Sequence, residues 1–116
     1  MAKTIMIVDD DPVVVKYLTT LFGDNGYDTV SAGTGLEGEE LLKTMTPDLI
    51  TLDLEMPGEW GAQFYRRITK DDRLKDVPVI VVSGLAGRHA IKKAVAFVSK
   101  PFDPDKLLGI VKRTIG

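Results

Sequence analysis

The sequence predicts an α/β fold in which helices cover both faces of a five-stranded parallel sheet, a doubly wound arrangement. Apolar runs alternate with helical patterns five times along the 116 residues, which is typical of such a sheet. The run at residues 79–82 is apolar on both faces, as an interior parallel strand should be. The hydrophobic content of 44% is enough for the core of one domain over residues 1–116.

The first strand and first helix are predicted at the start of the chain. Residues 4–8 are rich in strand-forming side chains and end at three consecutive acids, residues 9–11. Asp11 followed by Pro12 predicts a helix N-cap with proline at the first helical position. Apolar residues then recur on one helical face, and the helix is expected to end near residues 23–26.

The second strand and second helix are predicted over residues 27–31 and 36–45. The apolar face of this helix is thin, because Gly35 and Gly38 lie on it. These glycines weaken the helix but permit it to approach the sheet closely.

The third strand is a short apolar run that ends at Asp53. Pro47 precedes the run, and Pro57 and Gly58 follow it, so its length is well defined. In an open α/β sheet, ligands bind at the carboxyl ends of the strands, which makes Asp53 a candidate site residue. An apolar side chain at about every fourth position then predicts a third helix over residues 60–68.

The last two strands are predicted at residues 79–82 and 95–98. The connection between them is close to the minimum length of a crossover, so the fourth helix should be short or irregular. Asp103 and Pro104 repeat the N-cap signature, and the last helix is expected to run to Ile115.

Composition and charge exclude several classes of protein. The net charge of −2 provides no general attraction to nucleic acid or anionic lipid. The absence of cysteine excludes disulfides and thiolate metal sites. The first apolar run is too short for a signal sequence or a membrane span, so we expect a cytoplasmic protein without direct membrane or nucleic-acid partners.

Polar groups stand at the carboxyl ends of four of the five predicted strands. They are Asp9 and Asp10, Asp53, Ser83, and Lys100. In a parallel sheet these ends lie on one edge, so the side chains are expected to share one crevice. Neighbouring carboxylates repel unless a cation neutralises them, and Mg²⁺ prefers such oxygen ligands. With a lysine and a hydroxyl nearby, the crevice is equipped to hold a phosphoryl group on Asp53.

These motifs, taken in order, resemble those of a known family. They are Asp9-Asp10, Asp53 with Met56-Pro57 and Gly61, Ser83, and Lys100-Pro101-Phe102. Together they resemble the receiver domain of two-component response regulators over residues 4–115. The resemblance implies a flavodoxin-like fold with strand order 2-1-3-4-5, and a stand-alone receiver over residues 1–116 without an output domain.

The resemblance implies that Asp53 is the phosphoacceptor and that Mg²⁺ is the cofactor. The metal ligands would be Asp10, Asp53 and the backbone carbonyl of Glu55, and Asp9 would assist through water.

The resemblance also implies roles for the two later strand ends. Lys100 would pair with the Asp53 carboxylate and then with the phosphate, and Ser83 would hydrogen-bond the phosphate. Phe97 matches an aromatic position that turns inward on phosphorylation, so Ser83 and Phe97 would form the switch. The interval from Ser83 to Lys100 is about one helical turn shorter than is usual in the family. The family's usual output surface includes this segment, so we expect this chain to differ there.

The implied function is a phosphorylation-controlled binding module. A sensor histidine kinase would supply the phosphoryl group, and phosphorylation would change the affinity for an unknown downstream protein. The sequence leaves open whether the chain forms a homodimer. The chain would not be an enzyme beyond its own phosphorylation and dephosphorylation. A phosphorelay intermediate that passes the group to a histidine of a phosphotransfer domain is the alternative. A Mg²⁺-dependent aspartyl-phosphate phosphatase is less favoured, because the sequence has no cap insertion and no second acidic catalyst after Asp53.

Overall fold

The computed structural model describes residues 2–56, 59–84 and 94–116. In chain order the elements are β1 (Thr4–Val8), α1 (Pro12–Asp24), β2 (Asp28–Ala32), α2 (Gly35–Leu42), β3 (Leu49–Leu52), β4 (Glu55–Met56), β5 (Glu59–Trp60), α3 (Gly61–Ile68), β6 (Val79–Ser83), β7 (Ala96–Ser99) and α4 (Pro104–Ile115). No helix within these ranges is long and apolar enough to cross a membrane.

The five longer strands form one sheet in the order β2-β1-β3-β6-β7, and each neighbouring pair is parallel. With β6 and β7 counted as the fourth and fifth long strands, this is the order 2-1-3-4-5, so the predicted topology is confirmed. Val8, at the end of β1, pairs with Ala32 of β2 and Leu52 of β3. The carboxyl ends of these strands therefore lie side by side at one edge of the sheet.

Two helices begin with the capping aspartates that the sequence predicts. The Asp11 side chain accepts a hydrogen bond from Val13 N at 2.9 Å at the start of α1. Asp103 accepts one from Asp105 N at 2.9 Å at the start of α4. Each cap satisfies a backbone N–H that the first helical turn leaves without a helical partner. Both caps stabilise the points at which the chain turns from a strand end into a helix.

Alternation along the strands divides the core into two clusters, one on each face of the sheet. Met6 and Val8 belong to the cluster that includes residues of α2 and α3, among them the fully buried Phe64. Ile5 and Ile7 belong to the cluster that includes residues of α1 and α4. Burial of each large apolar side chain contributes about 1.5–3 kcal/mol, so the helical layers on both faces stabilise the sheet that carries the site.

The second helix is shorter than predicted. The prediction was residues 36–45, whereas α2 runs over Gly35–Leu42. The N–H groups of Lys43 and Thr44 donate to carbonyls three residues back, at 3.3 and 3.2 Å. The chain therefore tightens into a turn that side-chain periodicity does not reveal.

A short hairpin connects Asp53 to the third helix. Strands β4 and β5 are antiparallel, with Glu55 paired to Trp60 and Met56 paired to Glu59. The sequence predicted a helix from residue 60, but α3 begins at Gly61 because residue 60 is in the hairpin. Two-residue strands are too short to produce a recognisable periodicity.

The sequence also predicts a short or irregular helix between β6 and β7, which is a different element from α4. Residues 85–93 lie outside the described residues, so that expectation stays a prediction.

Candidate functional site

The candidate site lies where β1, β3, β6 and β7 end. Backbone hydrogen bonds continue just beyond these strands: Asp9 N donates to a carbonyl of β2 at 3.0 Å, and Asp53 N donates to a carbonyl of β1 at 2.9 Å. On the other side, Lys100 N donates to Ser83 O at 3.1 Å. The sheet therefore fixes the backbone of all four residues at one edge.

Three acidic side chains cluster at this edge. Asp9 and Asp53 are buried, with 3% and 5% of their surfaces exposed, whereas Asp10 is exposed. One carboxylate oxygen from each residue lies within 4.8 Å of the other two. Closely spaced carboxylate oxygens are suitable ligands for Mg²⁺ and other hard divalent cations. The predicted contact of Asp9 through water stays a prediction.

Lys100 contacts two of these carboxylates. Its Nζ donates a hydrogen bond to Asp9 Oδ2 at 2.8 Å and lies 3.7 Å from Asp53 Oδ2. The other oxygen of Asp9 accepts a hydrogen bond from Asp11 N at 2.9 Å. Asp9 is therefore the closer partner of the lysine, and Asp53 is within reach of the same ammonium group.

The pKa of Asp53 lies above its ordinary value. Burial has the largest effect and raises the pKa, while a hydrogen bond from the backbone N–H of Glu55 lowers it. The charge of Asp9 raises it further, and the charge of Lys100 and a hydrogen bond from Ser83 lower it by smaller amounts. Charge on Asp53 is therefore unfavourable in the metal-free chain, and a bound cation would relieve this cost.

The pKa of Lys100 also lies above its ordinary value. Burial is the largest single influence and lowers this pKa. The hydrogen bond to Asp9 and the charges of Asp9, Asp53 and Asp11 act together in the opposite direction and prevail. Lys100 is therefore held as a cation beside the carboxylates.

The other predicted residues surround this centre. Ser83 is buried, with 3% of its surface exposed, and Glu55 is exposed at the start of the hairpin. Glu55 N donates to Asp53 Oδ1 at 3.3 Å. Phe97 is partly buried and packs against the core cluster on the α2 and α3 face. Its side chain thus covers one side of that cluster and keeps part of its surface exposed.

Two features near Lys100 and Asp53 were not predicted as site contacts. Tyr17 of α1 packs edge to face against Phe102, with ring centroids 5.7 Å apart, two residues after Lys100. Gly61, which the sequence marked only as part of a motif, lies against the Asp53 backbone. Neither contact can be predicted from a local sequence pattern, because each joins residues from separate elements.

Comparison with known proteins gives a consistent result. The family model described as "Response regulator receiver domain" matches residues 5–112. Protein Rrf1 of Nitratidesulfovibrio vulgaris is 36% identical over 116 residues, which cover 99% of this chain and 84% of Rrf1. Both matches extend over nearly the whole chain and include every strand end of the site.

Solved structures agree in fold. A response regulator receiver protein from Pseudomonas putida has a TM-score of 0.92 at 28% identity, covering 97% of this chain and 98% of that one. Response regulator protein TrrA from Thermotoga maritima, in complex with Mg²⁺–BeF, has a TM-score of 0.87 at 30% identity, covering 97% and 98%. From the family match, the sequence identity and the shared strand order, this chain belongs to the response regulator receiver domain family.

Proposed function

We propose that this chain accepts a phosphoryl group from a sensor histidine kinase on Asp53, with Mg²⁺ as cofactor, and that phosphorylation alters its binding to a downstream protein. The observation that carries the proposal is the setting of Asp53. Its buried carboxylate lies 3.7 Å from Lys100 Nζ and within 4.8 Å of ligand oxygens from Asp9 and Asp10. Family membership and the Mg²⁺–BeF complex of TrrA support the same proposal.

The donor set at this edge fits Mg²⁺. The clustered oxygens are all carboxylate oxygens, and the exposed position of Asp10 leaves room for the waters that Mg²⁺ retains. Asp10, Asp53 and the Glu55 carbonyl would hold the ion, with Asp9 assisting through water. When bound, Mg²⁺ supplies positive charge that offsets repulsion among the carboxylates and the incoming phosphoryl oxygens.

Asp53 would act as the nucleophile. One of its carboxylate oxygens forms a bond to phosphorus while the bond from phosphorus to the histidine nitrogen of the donor breaks. The bonding electron pair leaves with that nitrogen. Two backbone hydrogen bonds, from Asp53 N to β1 and from Glu55 N to Asp53 Oδ1, hold the acceptor oxygen in a defined direction during this transfer.

Lys100 and Ser83 would respond to the new group. A phosphoryl group adds roughly −1.5 to −2 charge and three acceptor oxygens. We therefore expect Lys100, now 2.8 Å from Asp9 and 3.7 Å from Asp53, to move its closest contact from Asp9 to the phosphoryl oxygens. Ser83, which already hydrogen-bonds Asp53, would donate to the phosphoryl group, and Phe97 would complete the switch.

The proposed partners follow from this chemistry. A phosphohistidine of the kinase donates the phosphoryl group. The partner that binds the phosphorylated surface is a downstream protein, a phosphotransfer domain or a second copy of this chain. The chain itself is a self-phosphorylating receiver rather than a turnover enzyme, because Asp53 is both the nucleophile and the site that retains the product.

The test is incubation with Mg²⁺ and acetyl phosphate, followed by intact-mass measurement. The wild-type chain is expected to gain the mass of one phosphoryl group, and the gain should disappear when EDTA replaces Mg²⁺. Asp53→Asn should show no gain. Asp28→Asn, at an exposed acid of β2, is the matched control and should gain the group as the wild type does.

Two outcomes would contradict the proposal. One is a wild-type chain that gains no phosphoryl group with Mg²⁺ and acetyl phosphate. The other is an equal gain in Asp53→Asn, which would place the modification on another residue.

A further inference from the structure

Gly61, the first residue of α3, lies directly against the peptide that carries Asp53. A Cβ placed on Gly61 would stand 2.2 Å from the Asp53 carbonyl oxygen and 2.9 Å from Leu54 Cα. Both atoms belong to the backbone, so rotation of a side chain cannot make room. Gly61 N also donates a hydrogen bond to Leu54 O at 2.8 Å, which holds the two segments together.

We propose that Gly61 is a positioning residue for Asp53: its bare Cα lets α3 hold the Asp53 peptide in the position from which the carboxylate accepts the phosphoryl group. This inference rests on the proposed function. The atoms nearest to a Cβ on Gly61 all belong to the Asp53 and Leu54 backbone, so the effect of Gly61 is transmitted through that backbone.

The Asp53 peptide is held from two sides. Its N–H donates to a carbonyl of β1 at 2.9 Å, and the carbonyl side of the same residue faces Gly61. The site residues Asp9 and Lys100 are fixed to other strands, so they do not move with this peptide. A shift of Asp53 alone would therefore change its distance to Lys100 and to the other carboxylates.

A methyl group at position 61 would force such a shift. An ordinary van der Waals contact begins at 3.4 Å, whereas a Cβ on residue 61 would be 2.2 Å from the Asp53 carbonyl oxygen. The start of α3 and the Asp53 peptide must therefore separate by about 1 Å. A displacement of this size at a reacting group costs up to about a hundredfold in rate. For Gly61→Ala we expect a loss of about ten- to a hundredfold in the phosphorylation rate.

Gly38→Ala is the matched control. Gly38 is also a buried helical glycine. A Cβ on Gly38 would lie 3.0 Å from Phe64 Cε1, in the core cluster on the α2 and α3 face of the sheet. That neighbour is the side-chain ring of Phe64, one turn after Gly61 in α3, and no backbone atom of Asp53 is among the atoms nearest to Gly38. Gly38→Ala therefore perturbs packing against the same helix without placing an atom against the Asp53 peptide.

The experiment compares phosphorylation by acetyl phosphate with Mg²⁺ in wild type, Gly61→Ala and Gly38→Ala, each shown to be folded by circular dichroism and urea unfolding. We expect the maximal rate of Gly61→Ala to fall while the donor concentration for half-maximal rate stays unchanged, because Lys100 and Ser83 stay in place. Gly38→Ala should keep a rate within about threefold of wild type even where its unfolding midpoint is lower.

Equal maximal rates for folded Gly61→Ala and Gly38→Ala would overturn the inference. A wild-type chain that is not phosphorylated would instead overturn the proposed function, so the two failures are distinguishable.

A second measurement needs no variant and stays decisive if Gly61→Ala does not fold. Amide hydrogen exchange of the wild type should show the Gly61 N–H protected to within about tenfold of the Asp53 N–H, since both are hydrogen-bonded beside the site. Exchange of the Gly61 amide at the rate of an unstructured peptide would remove the contact on which the inference depends.

Discussion

Replacing Thr51 with valine is expected to stabilise the chain. Thr51 lies in β3, two residues before Asp53, and pairs with Ile7 of β1 and Ile80 of β6. Its side chain is buried, with 2% of its surface exposed, and its hydroxyl has no hydrogen-bond partner among the described residues. Valine has nearly the same shape and replaces the hydroxyl with a methyl group.

The magnitude follows from two contributions. Removing an unsatisfied buried hydroxyl recovers about 1–3 kcal/mol of desolvation cost. The added methyl group, buried among isoleucines, contributes at most about 0.8 kcal/mol more. We therefore expect Thr51→Val to raise the free energy of unfolding by about 1–4 kcal/mol, which raises Tm by about 4 °C per kcal/mol in a chain of this size.

Urea unfolding in metal-free buffer provides the assay. The unfolding midpoint of Thr51→Val should rise while the slope of the unfolding free energy against urea stays unchanged. Thr29→Val is the matched control, because Thr29 is a partly buried threonine on the outer strand β2. That substitution should change the free energy of unfolding by no more than about 0.5 kcal/mol.

A lower midpoint for Thr51→Val would refute this reasoning, since it would mean that the hydroxyl is hydrogen-bonded in solution. An equal gain in Thr29→Val would also refute it, because the effect would then come from valine in a strand and not from burial.

Three further predictions concern stability. Asp53→Asn should stabilise the metal-free chain at neutral pH, because the folded-state pKa of Asp53 is raised and its charge therefore costs stability. The two urea midpoints should be equal near about pH 3, separate as pH rises above the ordinary pKa of 3.8, and keep a constant difference above the raised folded-state pKa. A less stable Asp53→Asn at neutral pH would contradict this. Asp11→Ala removes the N-cap of α1 and should lower the free energy of unfolding by about 1 kcal/mol in urea; an unchanged midpoint would show that the cap contributes nothing. Gly23→Ala places a methyl in open space within α1 and should raise Tm by an amount equivalent to about 0.5–1 kcal/mol; a lower Tm would show that the space beside Gly23 is filled in solution.

Local chemistry made much of the fold predictable from the sequence. The Asp11-Pro12 and Asp103-Pro104 pairs each stand at the start of a helix, because capping depends on neighbours in the chain. The end of α2 and the hairpin after Asp53 were not predicted, since tight turns and two-residue strands have no periodicity.

The site was predictable as a set of residues but not as a geometry. Parallel strands bring their carboxyl ends to one edge, so topology alone indicates that Asp53, Ser83 and Lys100 share it. Sequence reasoning paired Lys100 with Asp53, whereas the structure shows the shorter contact, 2.8 Å, to Asp9. That preference depends on side-chain distances between separate strands.

The most direct test of Asp53 as the phosphoacceptor locates the phosphoryl group on the chain. After incubation with Mg²⁺ and acetyl phosphate, borohydride reduction converts an aspartyl phosphate to homoserine, which peptide mass spectrometry assigns to one position. We expect homoserine at position 53 and an unmodified aspartate at positions 9 and 10. Homoserine at position 9 or 10, or at no aspartate of a chain that gained the phosphoryl mass, would contradict it.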